Sequence, residues 1–195
     1  MIRRVLLVTP KFPPINAPDH QRVRMMLPYL KEFGWEGHVL CSDPAGGGGV
    51  LDPDLSRTVP SEIKVTRAPV VSDKYTRYVG MRGLAMRCIP GLVATGKRLL
   101  REHQFDLLYF STTVFLVMPL GRLWKRRYGV PYILDFQDPW VNTYYRENSK
   151  RVTPPGGRLK YAVVSRMAHT LEPFALRHAS HATCVSPDYV KELQE

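Results

Sequence analysis

The sequence predicts an α/β fold with a doubly wound parallel sheet, and two observations lead to this prediction. Short apolar segments alternate with longer segments of helical spacing along the 195 residues. The first apolar segment, residues 3–9, does not alternate with polar residues, which is typical of a strand buried on both faces. Strands that alternate with helices pack as a parallel sheet with helices on both sides. The length favours a single domain with its own core.

Six strands and four long helices are expected. Asp19 stands where an N-cap belongs, Pro28 predicts a kink, and Gly34 ends the first helix. Pro187 opens a further helix at its favoured first position. Residues 72–90 favour neither a strand nor a helix. The strands are predicted at residues 3–9, 38–41, 63–67, 106–110, 132–135 and 181–185, and the helices at residues 21–33, 92–102, 114–128 and 158–178.

The last long helix carries an apolar stripe. Its spacing is typical of a helix face that packs on a core, and Pro173 is expected to interrupt the helix. The stripe consists of Leu159, Val163, Met167 and Leu171. Residues 136–157, which precede this helix, form a long irregular segment, and such segments in compact domains are usually functional.

Composition excludes several classes of protein. An apolar fraction of 44% excludes general disorder, and no apolar run reaches the length of a membrane span. Cys41, Cys88 and Cys184 are far apart and show no paired spacing, which argues against a disulfide framework or a zinc site and fits a reducing cytosol. The net charge is +11, and residues 73–127 hold eleven Lys and Arg against three acidic residues. This basic segment indicates an anionic partner, namely phospholipid headgroups, a phosphorylated substrate or nucleic acid, or else a solvated basic face.

Three loops are expected to form the functional site. Ligands of doubly wound sheets bind beyond the carboxyl ends of the strands, where the strand order reverses. If the first strand is central, the loops after the first, fourth and fifth strands flank that crevice. The first loop contains Pro14, Asn16 and His20 and leads to Arg22 in the next helix. It matches neither dinucleotide nor P-loop patterns, but a helix N-terminus there could hold an anion with help from Arg22. The alternative is a rigid turn with a surface histidine.

The other two loops supply hydroxyl and carboxylate groups. Ser111 and Thr112 follow the fourth strand, where helix capping is the competing role. The segment after the fifth strand reads DFQDPW and places Asp135, Gln137, Asp138 and Trp140 together in positions 135–140. Carboxylates in a cleft act as a base or bind sugar hydroxyls, and a Trp face packs on sugar rings. The alternative is that Asp135 caps the strand end and Asp138 forms a turn before Pro139. The sequence DPD at 52–54 is expected to be a turn.

Four segments together resemble glycosyltransferase family 4. They are VLLVTPKFPP at 5–14, LKEFGWEGHVL at 30–40, GVPYILDFQDPW at 129–140, and the stretch from EPFALRHA at 172–179 to the serine at 186. The resemblance extends over essentially the whole chain. It implies a GT-B architecture of which residues 1–195 are the N-terminal half, a single Rossmann-like domain on the acceptor side. The C-terminal donor-binding domain, with its Glu-x-seven-Glu motif, is not in this sequence.

The resemblance also implies an activity. It implies retaining transfer of a sugar from a nucleotide-sugar donor to a glycan or lipid-linked acceptor, as in the synthesis of cell-envelope polysaccharide, with no metal and no other cofactor. Asp138 and Gln137 are then the catalytic candidates, although many members have a histidine at the position of Gln137 and a glycine pair in the first loop. Gln cannot serve as the same acid or base. These departures leave a non-catalytic Rossmann-like module, docked on an anionic membrane or a partner protein, as the alternative.

The basic segment suggests where such a protein works. Aromatic and apolar side chains alternate with arginines, a mixture that suits a membrane interface. We therefore expect a cytoplasmic protein, peripheral on the inner face of the plasma membrane. Nucleic acid is not an expected partner, because no recognition motif is present. The segment's apolar members are Tyr75, Tyr78, Met81, Leu84, Met86 and Ile89, and its arginines are Arg77, Arg82 and Arg87.

Overall fold

A computed structural model describes residues 2–76, 83–141, 144–147, 152–154, 156–187 and 189–190. Its strands, in chain order, are β1 Arg3–Val8, β2 Ile15–Asn16, β3 Trp35–Ser42, β4 Val50–Leu51, β5 Lys64–Ala68, β6 Leu107–Ser111, β7 Tyr132–Phe136 and β8 His181–Cys184. Six of them form a parallel sheet in the order β5-β3-β1-β6-β7-β8, and β2 pairs with β4 in an antiparallel ribbon. The predicted doubly wound sheet and its six strands are confirmed.

The helices connect the strands of the main sheet. They are α1 Gln21–Met26, α2 Pro44–Gly47, α3 Pro53–Ser56, α4 Asp73–Thr76, α5 Leu84–Glu102, α6 Pro119–Tyr128, α7 Tyr144–Glu147 and α8 Gly157–Leu176. Short 3-10 helices occupy Pro18–His20, Leu27–Phe33 and Phe115–Val117. Within the described residues, no helix is long and apolar enough to cross a membrane.

The sheet separates two apolar layers because side chains of a strand alternate between its faces. On one face, Leu6, Phe110 and Leu134 pack with α5, α6 and α8, and Trp124 is almost fully buried there. On the other face, residues such as Leu7 pack against α1 and the 3-10 helix that follows it. Since β1 lies between β3 and β6, the strand order reverses beside β1, as expected.

The first predicted helix is split where Pro28 stands. The α-helix ends at Met26, and the chain continues as a 3-10 helix to Phe33, because Pro28 lacks the N–H that an α-helical turn requires. Gly34 ends it with φ 76°, as expected. The prediction that Asp19 caps this helix is wrong. His20 precedes α1, and the Asp19 side chain instead faces Thr112 across the loop.

Three other helices differ from the predictions. α6 begins at Pro119, five residues after the predicted start, and a 3-10 helix at Phe115–Val117 precedes it. α5 begins at Leu84, eight residues before the predicted start, and holds Pro90 near its N-terminus. α8 continues through Pro173 to Leu176 rather than being interrupted. Of the predicted interfacial segment, residues 77–82 lie outside the described residues, Tyr75 and Met86 are exposed, and Ile89 is half-buried.

The apolar stripe of α8 faces away from the core, which corrects its predicted role. Leu159 and Val163 are exposed, and Leu171 is only half-buried. The buried positions of α8 are Ala168, Glu172 and Ala175 instead. Small side chains allow the helix to approach α6 and β7 closely, so they form the packed face even though the larger apolar residues lie elsewhere.

His38 gives the fold a predicted dependence on pH. Its ring lies in β3 and is 9% exposed, with Nε2 2.8 Å from the Thr66 hydroxyl. Burial, with His103 and Lys64 nearby and Glu36 opposing them, lowers the pKa of His38 to about 4. The unfolded chain takes up a proton below its pKa of 6.5 that the folded chain resists, so stability falls between pH 6.5 and about 4.

We expect the free energy of unfolding to fall by roughly 1–3 kcal/mol over this interval. Urea unfolding at several pH values measures it. The variant His38→Gln retains a polar partner for Thr66 and should show a clearly weaker dependence between pH 6.5 and 4. An unchanged dependence in that variant would assign the titration to other groups.

Candidate functional site

The three predicted loops meet at the carboxyl edge of the sheet, beside the strand reversal. β1, β6 and β7 end next to one another, and the loops that follow them are joined by hydrogen bonds of Gln137. Gln137 Nε2 donates to the Asp19 carbonyl at 2.7 Å and to the Ser111 hydroxyl at 2.9 Å. A carbonyl only accepts, so the amide nitrogen must face Asp19. Both amide hydrogens are therefore used, and only Oε1 remains to accept a bond from a ligand.

Thr112 and Asp19 form a second connection between the loops. The Thr112 hydroxyl accepts a bond from the Val114 N–H at 2.9 Å, which is the capping role expected for this loop. It also lies 3.4 Å from Asp19 Oδ2, while Lys11 Nζ lies 3.7 Å from Asp19 Oδ1. Asp19 is fully buried. Thr112 thus contributes to the shape of the site rather than presenting a free hydroxyl.

Asp135 is a buried carboxylate that several neighbouring side chains contact. It accepts bonds from the Ser111 hydroxyl at 2.6 Å and the Thr183 hydroxyl at 2.7 Å, and it forms an ion pair with Arg22 at 2.5 Å. Its side chain is 0% exposed. The structure therefore gives Asp135 a positioning role: it holds Arg22 and does not itself reach the surface of the site.

Arg22 carries the positive charge of the edge. Its side chain is 40% exposed, although Nη1 is fixed by Asp135. A guanidinium has five N–H donors in one plane, and in the described part of the chain only the bond to Asp135 is formed. The remaining donors are directed by a fixed, buried partner, an arrangement suited to binding an anion.

Hydrogen bonds connect the loop after β1 to neighbouring segments, and its predicted contact residues differ in exposure. The Pro14 carbonyl accepts a bond from the Asp52 N–H at 2.7 Å, and the Arg67 guanidinium donates to the Pro13 carbonyl at 3.1 Å. Pro14 is half-buried, and Asn16 is exposed on β2. Asp52 caps α3 by accepting from the Asp54 N–H, so the segment predicted as a turn is instead the capped start of a short helix.

His20 is buried, although the sequence predicted either a contact residue of the ligand loop or a surface histidine. Nε2 donates to the Ile15 carbonyl at 2.8 Å, and the ring meets Phe12 edge-on at 6.1 Å. Because Nε2 carries the proton, Nδ1 holds a lone pair, and it has no hydrogen-bond partner within the described residues. Burial lowers the pKa of His20, so the ring is neutral at pH 7. The ring braces the loop from inside and does not face the open edge.

The loop after β7 provides the exposed carboxylate. Asp138 is exposed directly beyond the strand end. Trp140 is half-buried and stacks on Phe115 with ring centroids 5.6 Å apart, and its backbone N–H donates to the Tyr189 hydroxyl at 3.0 Å. Trp140 therefore has one face covered by protein. Among the predicted site residues, Asp138, Arg22 and Asn16 are the exposed polar ones.

Lys11 and Thr183 also belong to this edge, although the sequence analysis did not assign them. Thr183 is paired in register with Asp135 on the neighbouring strand, so the sheet order would have pointed to it. Lys11 follows β1 by three residues and is 31% exposed at its side chain. Among the described residues, no cluster of three His, Cys, Asp or Glu side chains could hold a metal ion.

This combination of a parallel sheet and a polar edge at its strand reversal defines a Rossmann-like domain. The chain belongs to the glycosyl transferase 4-like family, since a family model described as glycosyl transferase 4-like domain matches residues 20–195. The resemblance to glycosyltransferase family 4 is thereby confirmed. No curated protein matches the sequence significantly.

Plant glycosyltransferases of the GT-B class are among the solved structures that share this fold. UGT2 of Phytolacca americana, complexed with UDP-2fluoro-glucose and pterostilbene, is 13% identical with a TM-score of 0.61, and the match covers 100% of this chain and 51% of that one. A UDP-glucosyltransferase of Polygonum tinctorium, capable of glucosylating indoxyl, is 10% identical with a TM-score of 0.55, covering 98% and 47%. This chain therefore spans about half the length of the structures it matches, and the likeness establishes the fold.

Proposed function

We propose that this chain is the acceptor-side domain of a retaining glycosyltransferase, which moves a sugar from a nucleotide-sugar donor to a glycan or lipid-linked acceptor. The observation that supports this most is the carboxyl edge, where Gln137 joins two other loops and a buried Asp135 fixes a half-exposed Arg22. Membership of the glycosyl transferase 4-like family supports sugar transfer as the chemistry proposed for this edge. UDP-2fluoro-glucose in the Phytolacca structure is consistent with a nucleotide-sugar donor.

Each exposed group then has a role. Arg22 would bind a diphosphate oxygen of the donor, because a guanidinium matches phosphate geometry. Asp138 would accept hydrogen bonds from hydroxyls of the sugar or acceptor, and Gln137 Oε1 would accept one more. In the overall reaction the acceptor oxygen bonds to the sugar carbon, the bond from that carbon to the diphosphate breaks, and the nucleoside diphosphate and a proton are released. A second domain would hold most of the donor, and no metal is required.

Calorimetry tests this proposal directly. UDP-glucose and GDP-mannose would be titrated into this chain and into a fusion with the C-terminal domain of a family member. We expect binding in the fusion only, because the acceptor-side edge would form one wall of the donor site. Cooperative melting of both proteins establishes that they are folded. The absence of binding in either folded protein would contradict the proposal.

The variant Asp138→Asn, made in the same fusion, tests whether the Asp138 carboxylate contributes to sugar transfer. Loss of a charged hydrogen-bond acceptor should reduce sugar transfer about tenfold or more. Glu62→Gln removes one exposed carboxylate away from the three loops and serves as the matched control. Equal activity of the two variants would remove Asp138 from the site.

A non-catalytic module docked on a membrane or partner protein is the second candidate. Two observations favour this candidate. His20 is buried, and both amide hydrogens of Gln137 already form hydrogen bonds within the protein. Neither side chain is placed to exchange a proton with a ligand. In that case the fusion would bind a nucleotide sugar poorly and show no transfer, while the chain still bound its partner.

A further inference from the structure

We propose that the outward face of the first half of α8 docks on an anionic membrane surface. This face is made by Leu159, Val163 and Met167, which are four residues apart and therefore lie along one line of the helix. They are 81%, 54% and 37% exposed. A contiguous exposed apolar stripe of this kind marks an interaction surface rather than an ordinary solvated face.

The stripe is bordered by positive charge. Lys160 and Arg166 are exposed beside it. The single acidic residue in the α8 sequence, Glu172, is only 9% exposed, and its carboxylate accepts bonds from the Val141 N–H and the Tyr189 hydroxyl on the buried side. The outward face of α8 therefore combines an apolar stripe with cations and no exposed carboxylate.

The second half of α8 fixes the direction of this face. Ala168 and Ala175 are buried, and the Arg122 guanidinium of α6 donates to the Phe174 carbonyl at 3.1 Å. These contacts hold the helix against the body of the domain. The stripe is thus presented by a helix that is already folded, and docking does not require the ordering of a segment.

α8 also brings the stripe to the carboxyl edge of the sheet. The Ala175 carbonyl accepts a bond from the hydroxyl of Tyr132, the first residue of β7, whereas Glu172 accepts one from the Val141 N–H beyond the end of β7, so the earlier residues of α8 extend past that edge. The 20 residues of α8 span about 30 Å, whereas the five residues of β7 span about 17 Å. The first half of α8 therefore lies on the same side as Asp138 and Arg22.

An anionic bilayer matches this surface best. Its headgroups attract Lys160 and Arg166, its acyl boundary accepts the apolar stripe, and the chain carries a net charge of +11. The inference deepens the proposed function, because a docked α8 would place the site beside a lipid-linked acceptor. Docking is measured without sugar transfer, so its failure and the failure of the proposed activity are distinguishable.

Vesicle flotation of the whole chain is the test. Vesicles of equal parts phosphatidylcholine and phosphatidylglycerol are compared with pure phosphatidylcholine. We expect the chain to float with the anionic vesicles and to be released by high salt, which screens the attraction. Leu159→Asn with Val163→Asn should lower the partition coefficient at least tenfold. Lys160→Glu with Arg166→Glu should lower it by a similar factor.

Two controls separate this face from general stickiness or charge. Leu51→Asn changes an exposed leucine of the β2–β4 ribbon, and Lys31→Glu reverses an exposed charge of the 3-10 helix before β3. Each control variant should have a partition coefficient on anionic vesicles within twofold of that of the original chain. All of these side chains are exposed, so the variants should melt as the original does.

Three outcomes would overturn the proposal. The first is no flotation with anionic vesicles, and the second is equal flotation of the α8 variants and the controls. The third is a dimer in sedimentation velocity that Leu159→Asn with Val163→Asn dissociates, because a second copy would then cover the stripe.

Discussion

Arg22→Met is expected to lower the free energy of unfolding by roughly 3 kcal/mol, with a fall in Tm of about 10 °C. The substitution leaves the fully buried Asp135 carboxylate without its countercharge while the hydroxyls of Ser111 and Thr183 remain. Removing one partner of a buried pair is costly because the other charge stays in a poorly solvated place. The figure lies at the low end of the usual range because Arg22 is 40% exposed.

Arg24→Met is the matched control for this prediction. Arg24 lies two residues further along α1 and donates to the neutral oxygens of Gln21 and Thr58. Its loss should cost about 1 kcal/mol, as for ordinary hydrogen bonds. Thermal and urea unfolding of the two variants measure the difference. If both variants lost the same free energy of unfolding, Arg22 would not compensate the charge of Asp135.

Gly91→Ala is expected to destabilise the domain by roughly 3 kcal/mol, although alanine is the better helix former. A Cβ built on Gly91 would lie 1.8 Å from the Pro69 carbonyl oxygen, and a backbone atom cannot rotate away. The helix must therefore move away from the segment that follows β5.

Gly83→Ala supplies the control for the steric argument. Gly83 stands just before α5 and has φ −64°. Apart from its chain neighbours, no atom of the described residues lies within 4 Å of the position of an added Cβ. Its substitution should cost at most about 1 kcal/mol, as for the loss of a glycine at a helix N-cap. Urea denaturation compares the two variants. A Gly91→Ala protein as stable as the original would show that α5 does not approach Pro69 so closely.

The sheet and the place of the site were predictable from the sequence for a physical reason. Strands buried on both faces leave apolar runs that few other structures produce, and the alternation with helices fixes parallel pairing. Once β1 is central, the loops containing Ser111 and Gln137 must meet the loop after β1. The strand order also pairs Asp135 with Thr183, a contact that the sequence analysis could have reached.

The burial of individual side chains was less predictable. The spacing of Leu159 and Val163 favours a buried stripe, but the packed face of α8 is built on Ala168, whose small size carries little signal in an apolar pattern. The position of His20 depends on the shape of the whole loop, which brings the Ile15 carbonyl and the Phe12 ring against it. Such contacts depend on tertiary structure and leave no periodicity in the sequence.

Hydrogen exchange of the fused protein, with and without a saturating nucleotide sugar, tests most directly whether the carboxyl edge is the ligand site. We expect protection in peptides covering residues 9–24, 111–118 and 135–141, where the three loops meet around Gln137 and Arg22. Peptides from the opposite edge, around His38 and His103, should exchange equally in both samples. Protection confined to the added domain or to that opposite edge would contradict the account.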